Sequence, residues 1–200
     1  MKIKEIFLSL QGEGPDVGAP AVFVRLAGCN LHCSWCDTDH QTNAVELTEE
    51  EVVFQVCKIA PPNKFVVITG GEPFLQPLNK LLAFLLNRGF RVQLETNGTL
   101  WQEELRELLK NPAVTVVCSP KDKHEIHNLL TWFVSFYKIV YGADDASIPK
   151  CFGACSQVFI QPRDDQDAEK NNKNLQASIQ LCLEKGWRLS LQTHKMLGLQ

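Results

Sequence analysis

The chain has 200 residues, of which 44% are hydrophobic, and its formal net charge is −3. This length and composition are enough for one domain with a hydrophobic core and leave little room for a second domain. Eight cysteines are too sparse for a disulfide scaffold, and no block of Lys and Arg marks a surface that would grip nucleic acid. We therefore expect residues 1–200 to form a single domain that acts on a small molecule.

The apolar stretch within Met1–Leu10 is shorter than a signal peptide requires, and no apolar run approaches the length that spans a membrane. We therefore expect a cytoplasmic protein that makes no membrane contact. A reducing compartment keeps thiols free, and clustered cysteines in such a compartment bind metal or carry redox chemistry.

Short apolar or β-branched runs alternate along the chain with longer amphipathic runs. The pattern predicts strands over Ala21–Ala27, Phe65–Thr69, Arg91–Glu95, Val114–Cys118, Val134–Val140, Val158–Ile160 and Arg188–Gln192. It predicts helices over Thr48–Ala60, Pro77–Arg88, Gln102–Lys110 and Ala168–Lys185. Thr48 and Glu51 form a capping-box signature, and Gly186 stands where a C-cap glycine belongs.

Alternation of strands and helices predicts an α/β fold with a parallel sheet. A complete eight-fold barrel needs about 250 residues, so we expect a shortened, partly open (β/α) barrel of about six βα units. A doubly wound sheet is the alternative, and both architectures carry the active site at the carboxyl ends of the strands. Polar segments follow six predicted strands at that end: Cys29–Thr38, Gly70–Pro73, Glu95–Gly98, Ser119–Lys121, Gln161–Pro162 and Gln192–His194.

Three cysteines, Cys29, Cys33 and Cys36, lie within eight residues of one predicted loop. Three thiolates from one loop can hold three irons of a [4Fe–4S] cluster and leave the fourth iron open to a substrate or cofactor. The spacing C-x3-C-x2-C, with Trp35 just before the third cysteine, resembles the cluster loop of the radical S-adenosylmethionine (SAM) enzymes.

A structural zinc site is the alternative for this loop, with His32 or His40 as the fourth ligand. Such sites usually pair a C-x2-C with a second, distant ligand pair, and the distant pair here, Cys151 and Cys155, has a different spacing. The other cysteines fall in amphipathic or apolar elements, and we expect them to be buried as small hydrophobic side chains: Cys57, Cys118 and Cys182.

Further polar residues are spaced for ligand binding. Gln11 and Glu13 lie on a glycine-flanked loop and can read a donor–acceptor edge such as the pyrimidinone of a pterin. Arg25 sits inside an apolar strand, where burial requires an anionic partner, and the sequence leaves open whether that partner is a protein or a substrate carboxylate. Glu72 follows two glycines and offers an acceptor for an ammonium group, while Thr38 and the preceding Asp offer oxygen ligands suited to Mg²⁺.

Together these motifs resemble the 7-carboxy-7-deazaguanine synthases, and the resemblance extends from residue 9 to residue 195. It implies a homodimeric radical SAM lyase that converts 6-carboxy-5,6,7,8-tetrahydropterin to 7-carboxy-7-deazaguanine with loss of ammonia, on the route to queuosine and other 7-deazapurines. It implies a [4Fe–4S] cluster, SAM and Mg²⁺ as cofactors. It also implies a small electron donor such as flavodoxin or ferredoxin, and no direct contact with nucleic acid.

The resemblance also implies roles for individual residues. The SAM-binding residues would be Gly70, Gly71, Glu72, Asn97, Ser119, Lys121 and Gln161. The substrate-binding residues would be Gln11, Gly12, Glu13, Gly14, Arg25, Thr69, Gly71 and His194. Metal ligands would be Cys29, Cys33 and Cys36 for the cluster and Thr38 for Mg²⁺. Two other functions stay open from the sequence: an activating enzyme for a glycyl-radical protein, and a non-enzymatic zinc-binding module.

Overall fold

A computed structural model of the chain describes residues 1–121, 124–145, 147–148 and 157–199. Within these residues the strands are β1 (Lys2–Leu10), β2 (Pro20–Leu26), β3 (Val45–Glu46), β4 (Phe65–Gly70), β5 (Arg91–Thr96), β6 (Val114–Cys118), β7 (Phe136–Tyr141), β8 (Val158–Pro162) and β9 (Arg188–Leu189). They form one sheet in the order β3-β1-β2-β4-β5-β6-β7-β8-β9.

The sheet is parallel from β2 through β9, and β1 joins it antiparallel to β2, with β3 antiparallel to β1. It does not close, because β3 and β9 are its two edges. The prediction of an α/β fold with a shortened, partly open barrel is therefore confirmed. The extra hairpin strand β1 has no counterpart among the predicted strands, since its apolar residues alternate only loosely with polar ones.

The helices are α1 (Glu49–Ile59), α2 (Asn79–Asn87), α3 (Ala168–Lys185) and the single turn α4 (Thr193–Met196). The capping box of α1 is present, because Thr48 Oγ1 accepts from Glu51 N at 3.2 Å and Glu51 Oε2 accepts from Thr48 N at 2.8 Å. Gly186 ends α3 with φ of +69°, the left-handed conformation of a C-cap glycine. No helix among the described residues is long and apolar enough to cross a membrane.

The predicted helix over Gln102–Lys110 is wrong: the segment forms two 3₁₀ turns, Glu103–Leu105 and Leu108–Lys110. Leu105 and Leu109 are buried as the helical spacing predicts. Gln102, however, does not cap a helix, because its amide donates to Phe74 O and Gln76 O and accepts from Leu78 N. A segment this short, without a cap, has little helical stability of its own.

The two faces of the parallel strands differ in chemistry. Outward side chains, such as Val24 and Ile68, pack against α1 and α2 in the main hydrophobic core. Inward side chains begin as a small apolar cluster of Ala21, Phe23, Phe65 and Val67 and become polar toward the carboxyl ends of the strands. The inside of the barrel is therefore filled at one end and open to polar ligands at the other.

Candidate active site

A cavity of about 290 Å³ opens at the carboxyl ends of the parallel strands. Every one of the six polar segments that follow predicted strands contributes to its wall, as expected for a parallel barrel. The predicted site residues that line it are Gln11, Gly12, Glu13, Arg25, Cys29, Cys33, Cys36, Thr38, Thr69, Gly70, Gly71, Asn97, Ser119, Lys121, Gln161 and His194. Two predicted site residues, Gly14 and Glu72, are not part of the wall.

The three-cysteine loop is held in place by backbone contacts with the Gly70–Gly71 turn. Gly28 O accepts from Glu72 N at 2.9 Å, and Gly28 N donates to His40 O at 2.8 Å, which closes the loop. A Cβ atom on Gly71 would lie 2.0 Å from Gly28 O and 2.9 Å from Cys29 Cβ. Only glycine at position 71 lets the β4 turn approach the first cysteine this closely.

The three cysteines of this loop differ in exposure and are not arranged around one point. Cys29 and Cys33 are half-buried and Cys36 is exposed. Among the described residues, no group of three His, Cys, Asp or Glu side chains is arranged to hold one metal ion. The described residues therefore show no preformed single-ion site for the zinc alternative with His32 or His40.

The thiols of the loop also have a characteristic electrostatic environment. Burial raises the pKa of Cys29 and of Cys33, and the Lys121 ammonium opposes the shift at both. Because only thiolates ligate iron, loading a cluster here would release protons. The Lys121 side chain also stacks over Trp35, 5.1 Å from the ring centroid, so the aromatic residue of the motif packs against a cation.

Glu72 does not present its carboxylate to the cavity, contrary to the sequence-based expectation. The side chain is completely buried and accepts from Phe74 N at 2.9 Å, Thr96 Oγ1 at 2.7 Å and Asn97 N at 2.6 Å. Burial raises the pKa of Glu72, and these hydrogen bonds oppose that shift. The Gly-Gly-Glu run therefore offers the cavity the backbone of its two glycines, while Glu72 ties that turn to the end of β5.

Asn97, Ser119 and Lys121 form a polar wall next to the cluster loop. Asn97 Nδ2 donates to Asn30 Oδ1 at 3.0 Å, which links this wall to the cysteine loop. Lys121 Nζ donates to Ser119 Oγ at 2.9 Å, and burial together with the Lys138 ammonium lowers the pKa of Lys121. All three side chains line the same cavity, where Ser119 holds Lys121 in position and Asn30 holds Asn97.

The Gln11–Gly14 loop packs against the C-terminal segment. A Cβ atom on Gly12 would lie 2.0 Å from His194 Nδ1, so glycine there makes room for the imidazole. Gly12 O accepts from Thr193 N at 3.0 Å, and Gly14 N donates to Ser190 Oγ at 2.8 Å. Burial lowers the pKa of His194, against the opposing charge of Glu13, so the imidazole at the cavity favours its neutral form.

Arg25 contacts a protein carboxylate. Its Nε donates to Glu5 Oε1 at 2.6 Å, and the guanidinium lies 5.8 Å from the ring centroid of Phe7. Glu5 faces Arg25 across the β1–β2 pair, a partner that only the antiparallel hairpin provides. The protein-carboxylate alternative therefore describes one contact of Arg25, and the side chain also lines the cavity, where a substrate anion would meet it.

Asp37 is tied to the C-terminal segment. Its Oδ2 accepts from Lys195 Nζ at 2.7 Å and from Gln192 Nε2 at 3.1 Å, and its Oδ1 accepts from Thr38 Oγ1 at 3.3 Å. Lys195 also donates to Asp164 at 2.8 Å, so one ammonium joins the cluster loop, the end of β8 and the C-terminal segment. Thr38 lines the cavity beside this junction.

The cavity is also lined by four residues for which the sequence motifs predict no site role: Glu95, Lys138, Gln192 and Lys195. One signal could have found Lys138: it interrupts an apolar strand, as Arg25 does. Among the other cysteines, Cys118 is buried and Cys182 partly buried, but Cys57 is exposed, so its predicted burial is wrong. Cys151 and Cys155 lie outside the described residues.

The sequence of this chain is similar to that of known proteins. Residues 24–136 match the family model of the radical SAM superfamily. The chain is 38% identical to a 7-carboxy-7-deazaguanine synthase from Rhodospirillum rubrum, over 98% of this chain and 91% of that protein. It is 37% identical to the 7-carboxy-7-deazaguanine synthase of Rickettsia prowazekii, over 100% of this chain and 89% of that protein.

The crystal structure of QueE from Escherichia coli is similar in fold. It has a TM-score of 0.74 and 26% sequence identity, and the match covers 95% of this chain and 92% of that chain. Streptococcus suis SuiB bound to S-adenosylmethionine shares the fold alone, with a TM-score of 0.53 and 12% identity over 84% of this chain and 46% of that chain.

Proposed function

This chain belongs to the 7-carboxy-7-deazaguanine synthase family of radical SAM enzymes, and from that premise we propose how its cavity is used. Its reaction is the ring contraction of 6-carboxy-5,6,7,8-tetrahydropterin to 7-carboxy-7-deazaguanine with loss of ammonia, in 7-deazapurine biosynthesis. The observation that carries this function is the meeting, in one cavity, of a three-cysteine loop with a separate set of half-buried carboxylates and a strand Arg. Neither a zinc module nor a glycyl-radical activating enzyme requires that second set.

In this proposal Cys29, Cys33 and Cys36 would hold the [4Fe–4S] cluster. The cluster and SAM would supply the radical chemistry of the reaction. The backbone of Gly70 and Gly71 approaches the methionine end of SAM. Asn97, Ser119, Lys121 and Gln161 contact the rest of the cofactor, and Glu72 contributes by fixing the glycine turn.

The substrate occupies the other side of the cavity. Arg25 binds the 6-carboxylate, for which its planar guanidinium is suited. Gln11 and Glu13 read the pyrimidinone edge. Gly12 and Gly14 shape their loop, and Thr69, Gly71 and His194 complete the pocket. These residues orient the pterin and exclude water. The orientation holds the reacting carbon of the substrate close to the radical source.

Mg²⁺ is assigned to the hydroxyl of Thr38. Thr38 lines the cavity next to Asp37, and hydroxyl and carboxylate oxygens are the ligands that Mg²⁺ prefers. The charge of the ion would favour binding of the anionic substrate carboxylate. A requirement for Mg²⁺ is tested by turnover with the ion removed by chelation and then restored.

The assembly and cellular setting follow as further parts of the proposal. We assign residues 1–200 to a single domain, supported by one continuous sheet, and we assign the protein to the cytoplasm as a homodimer. The electron donor would be a small redox protein such as flavodoxin or ferredoxin, and the enzyme makes no direct contact with nucleic acid. Light scattering of the cluster-loaded protein measures its oligomeric state.

The decisive experiment is anaerobic turnover of 6-carboxytetrahydropterin with SAM, reductant and Mg²⁺, followed by mass spectrometry. The expected product is 7-carboxy-7-deazaguanine together with ammonia. Because the reaction involves no net oxidation or reduction, SAM should be regenerated, and product should greatly exceed free 5′-deoxyadenosine. One 5′-deoxyadenosine per product, or no product at all, would remove this function.

A further inference from the structure

Lys138 places a buried ammonium at the cavity, although it belongs to none of the motifs that mark the family resemblance. It lies in the middle of β7, and its neighbours Tyr137 and Ile139 pack outward in the hydrophobic core. Strand alternation therefore turns Lys138 inward, where it lines the cavity with only 6% of its surface exposed. A lysine held at such burial requires compensating charge.

Two carboxylates from separate elements supply that charge. Lys138 Nζ donates to Glu13 Oε2 in the loop after β1, and it lies 3.8 Å from Glu95 Oε2 at the end of β5. One ammonium thus fixes the spacing of two acceptors that are 82 positions apart in the chain. Neither contact is visible from the local sequence.

Side-chain amides and a hydroxyl orient the same two carboxylates. Glu13 Oε1 accepts from Gln161 Nε2 at 3.2 Å and from Gln192 Nε2 at 2.9 Å. Glu95 Oε1 accepts from Gln11 Nε2 at 3.1 Å and from Gln93 Nε2 at 2.9 Å, and its Oε2 accepts from Thr69 Oγ1 at 3.2 Å. These donors fix both carboxylates before any ligand arrives.

The charge of Lys138 favours the ionised form of Glu13. Burial would raise the pKa of Glu13, but the Lys138 ammonium and its hydrogen bond outweigh burial and hold that pKa below its ordinary value. In turn, Glu13 and Glu95 overcome the effect of burial on Lys138 and raise its pKa. Asp37, Lys121 and His194 are the other charged or titratable groups whose fields reach this network.

An ionised carboxylate only accepts hydrogen bonds, whereas a protonated one also carries an O–H donor. The 2-amino group and the adjacent ring N–H of a pterin are both donors, so this edge requires acceptors. We propose that Lys138 is a positioning residue for substrate recognition, whose ammonium holds Glu13 and Glu95 as paired acceptors for the 2-amino-pyrimidinone edge. This inference rests on the proposed function and names the part of the site that sets its specificity.

The test compares two fluorescent probes on the cluster-loaded enzyme, 6-carboxypterin and 6-carboxylumazine. The lumazine carries a carbonyl oxygen where the pterin carries its 2-amino group. In the lumazine complex, therefore, a hydrogen-bond acceptor of the ligand would face the acceptor carboxylates of the protein. The wild type should prefer the pterin by at least about tenfold, the scale of one buried donor–acceptor mismatch. Lys138→Met should lower that preference to within about threefold, because Glu13 loses the counter-charge that favours its ionised, hydrogen-bond-accepting form.

A pH series separates this role from a purely structural one. In the wild type, pterin binding should change little between about pH 5 and 7.5, because the Glu13 pKa lies below that range. In Lys138→Met, burial acts without its counter-charge, so the Glu13 pKa rises and pterin binding should strengthen as the pH increases. Titration of His194 affects both proteins, and the difference between the two curves isolates Lys138.

Three controls complete the design. Lys138→Arg retains the charge and should keep most of the preference. Lys173→Met removes an exposed lysine of α3 that pairs with Glu169 at the surface, and it should change nothing. If the Met variant does not fold, Glu95→Gln removes one carboxylate, retains the ammonium, and should itself reduce the preference for the pterin.

The results of these experiments distinguish failure of the Lys138 inference from failure of the proposed function. If Lys138→Met, or Glu95→Gln in its place, still prefers the pterin, or binds both probes more weakly by one common factor, Lys138 is a structural residue and the inference is wrong. A wild type that neither converts 6-carboxytetrahydropterin nor binds 6-carboxypterin overturns the proposed function, and this inference with it.

Discussion

The two sides of the cavity are built on different principles. The cluster side consists of thiols on one short loop and glycine backbone, with the Gly71 turn in close contact with Gly28. The substrate side consists of charged side chains that bind one another, with Lys138 between Glu13 and Glu95. In the described part of the chain, the thiols of the first side make only local backbone contacts, whereas the charged side chains of the second side are paired with one another across separate strands.

This difference follows from what each ligand brings. A metal cluster and its cofactor carry their own reactivity, so the protein needs only ligands and close contact. A substrate must be recognised among similar molecules, and this requires donors and acceptors fixed beforehand at known positions. Substitutions on the two sides should therefore fail in different ways, and the four that follow are ordered by the size of the expected effect.

The largest effect is expected for Cys33→Ala. Losing one of three ligands should abolish the [4Fe–4S] cluster, and with it all cleavage of SAM. Among the described residues, this loop has no fourth cysteine that could replace Cys33. Broad absorbance near 400 nm and 5′-deoxyadenosine formation without substrate measure the two properties. Cys57→Ala, at an exposed position on α1, is the matched control and should retain both. A brown, SAM-cleaving Cys33→Ala protein would contradict the ligand assignment.

Arg25→Lys should impair substrate binding and leave the cluster and SAM cleavage unaffected. A lysine cannot reproduce the planar fork, and losing a buried charge-assisted pair costs about 2–5 kcal/mol, or about 30- to several-thousand-fold in binding. We expect KM for 6-carboxytetrahydropterin to rise by such a factor, with the cluster absorbance and SAM cleavage in the absence of substrate intact. Tetrahydropterin without the 6-carboxylate should bind the variant no worse than it binds the wild type.

The Glu5 contact provides a sharper form of this experiment. If Arg25 serves only as the partner of Glu5, then Glu5→Gln should reproduce the defect of Arg25→Lys. If Arg25 also binds the substrate carboxylate, Glu5→Gln should be much milder, because the guanidinium remains available. Equal losses in the two variants would favour the protein-carboxylate alternative.

Gly12→Ala should have an intermediate effect that tests how the loop places His194. The added methyl would lie 2.0 Å from His194 Nδ1, so the imidazole or the loop must move. Overpacking of this kind costs typically 1–3 kcal/mol, so we expect KM to rise by about 5- to 150-fold. Thermal unfolding measured in parallel distinguishes a displaced imidazole from a destabilised fold, and unchanged KM would show that His194 makes no essential contact with substrate.

Lys195→Met should have the smallest effect. Lys195 joins Asp37 to Asp164, but all three side chains are between about a quarter and 37% exposed, and ion pairs at such positions contribute about 0–1 kcal/mol. We expect KM to rise by no more than about fivefold, since the C-terminal segment is held also by the backbone bond from Thr193 to Gly12. The ratio of the variant's KM to the wild-type KM should decrease at high salt, because salt screens the Lys195 ion pairs in the wild type.

Several features of the protein were determined by its sequence alone. The cysteine spacing, the capping box at Thr48 and the alternation of strands with helices are local patterns, readable within a few residues or one structural period. These predict the partly open barrel and the edge that carries the site, and the family resemblance adds sixteen residues that line the cavity. Prediction failed locally at residues 102–110, where Gln102 bonds to the segment before α2 instead of capping a helix.

Only the tertiary structure decided which charges meet. Glu5 faces Arg25 because β1 folds back on β2, and Lys138 reaches both Glu13 and Glu95 because β7 turns its alternate side chains inward. Glu72, readable as an open acceptor, is instead buried among donors from the next strand. Such pairings depend on strand register and order across the whole sheet, and a charged residue in the sequence indicates that it needs a partner without specifying which one.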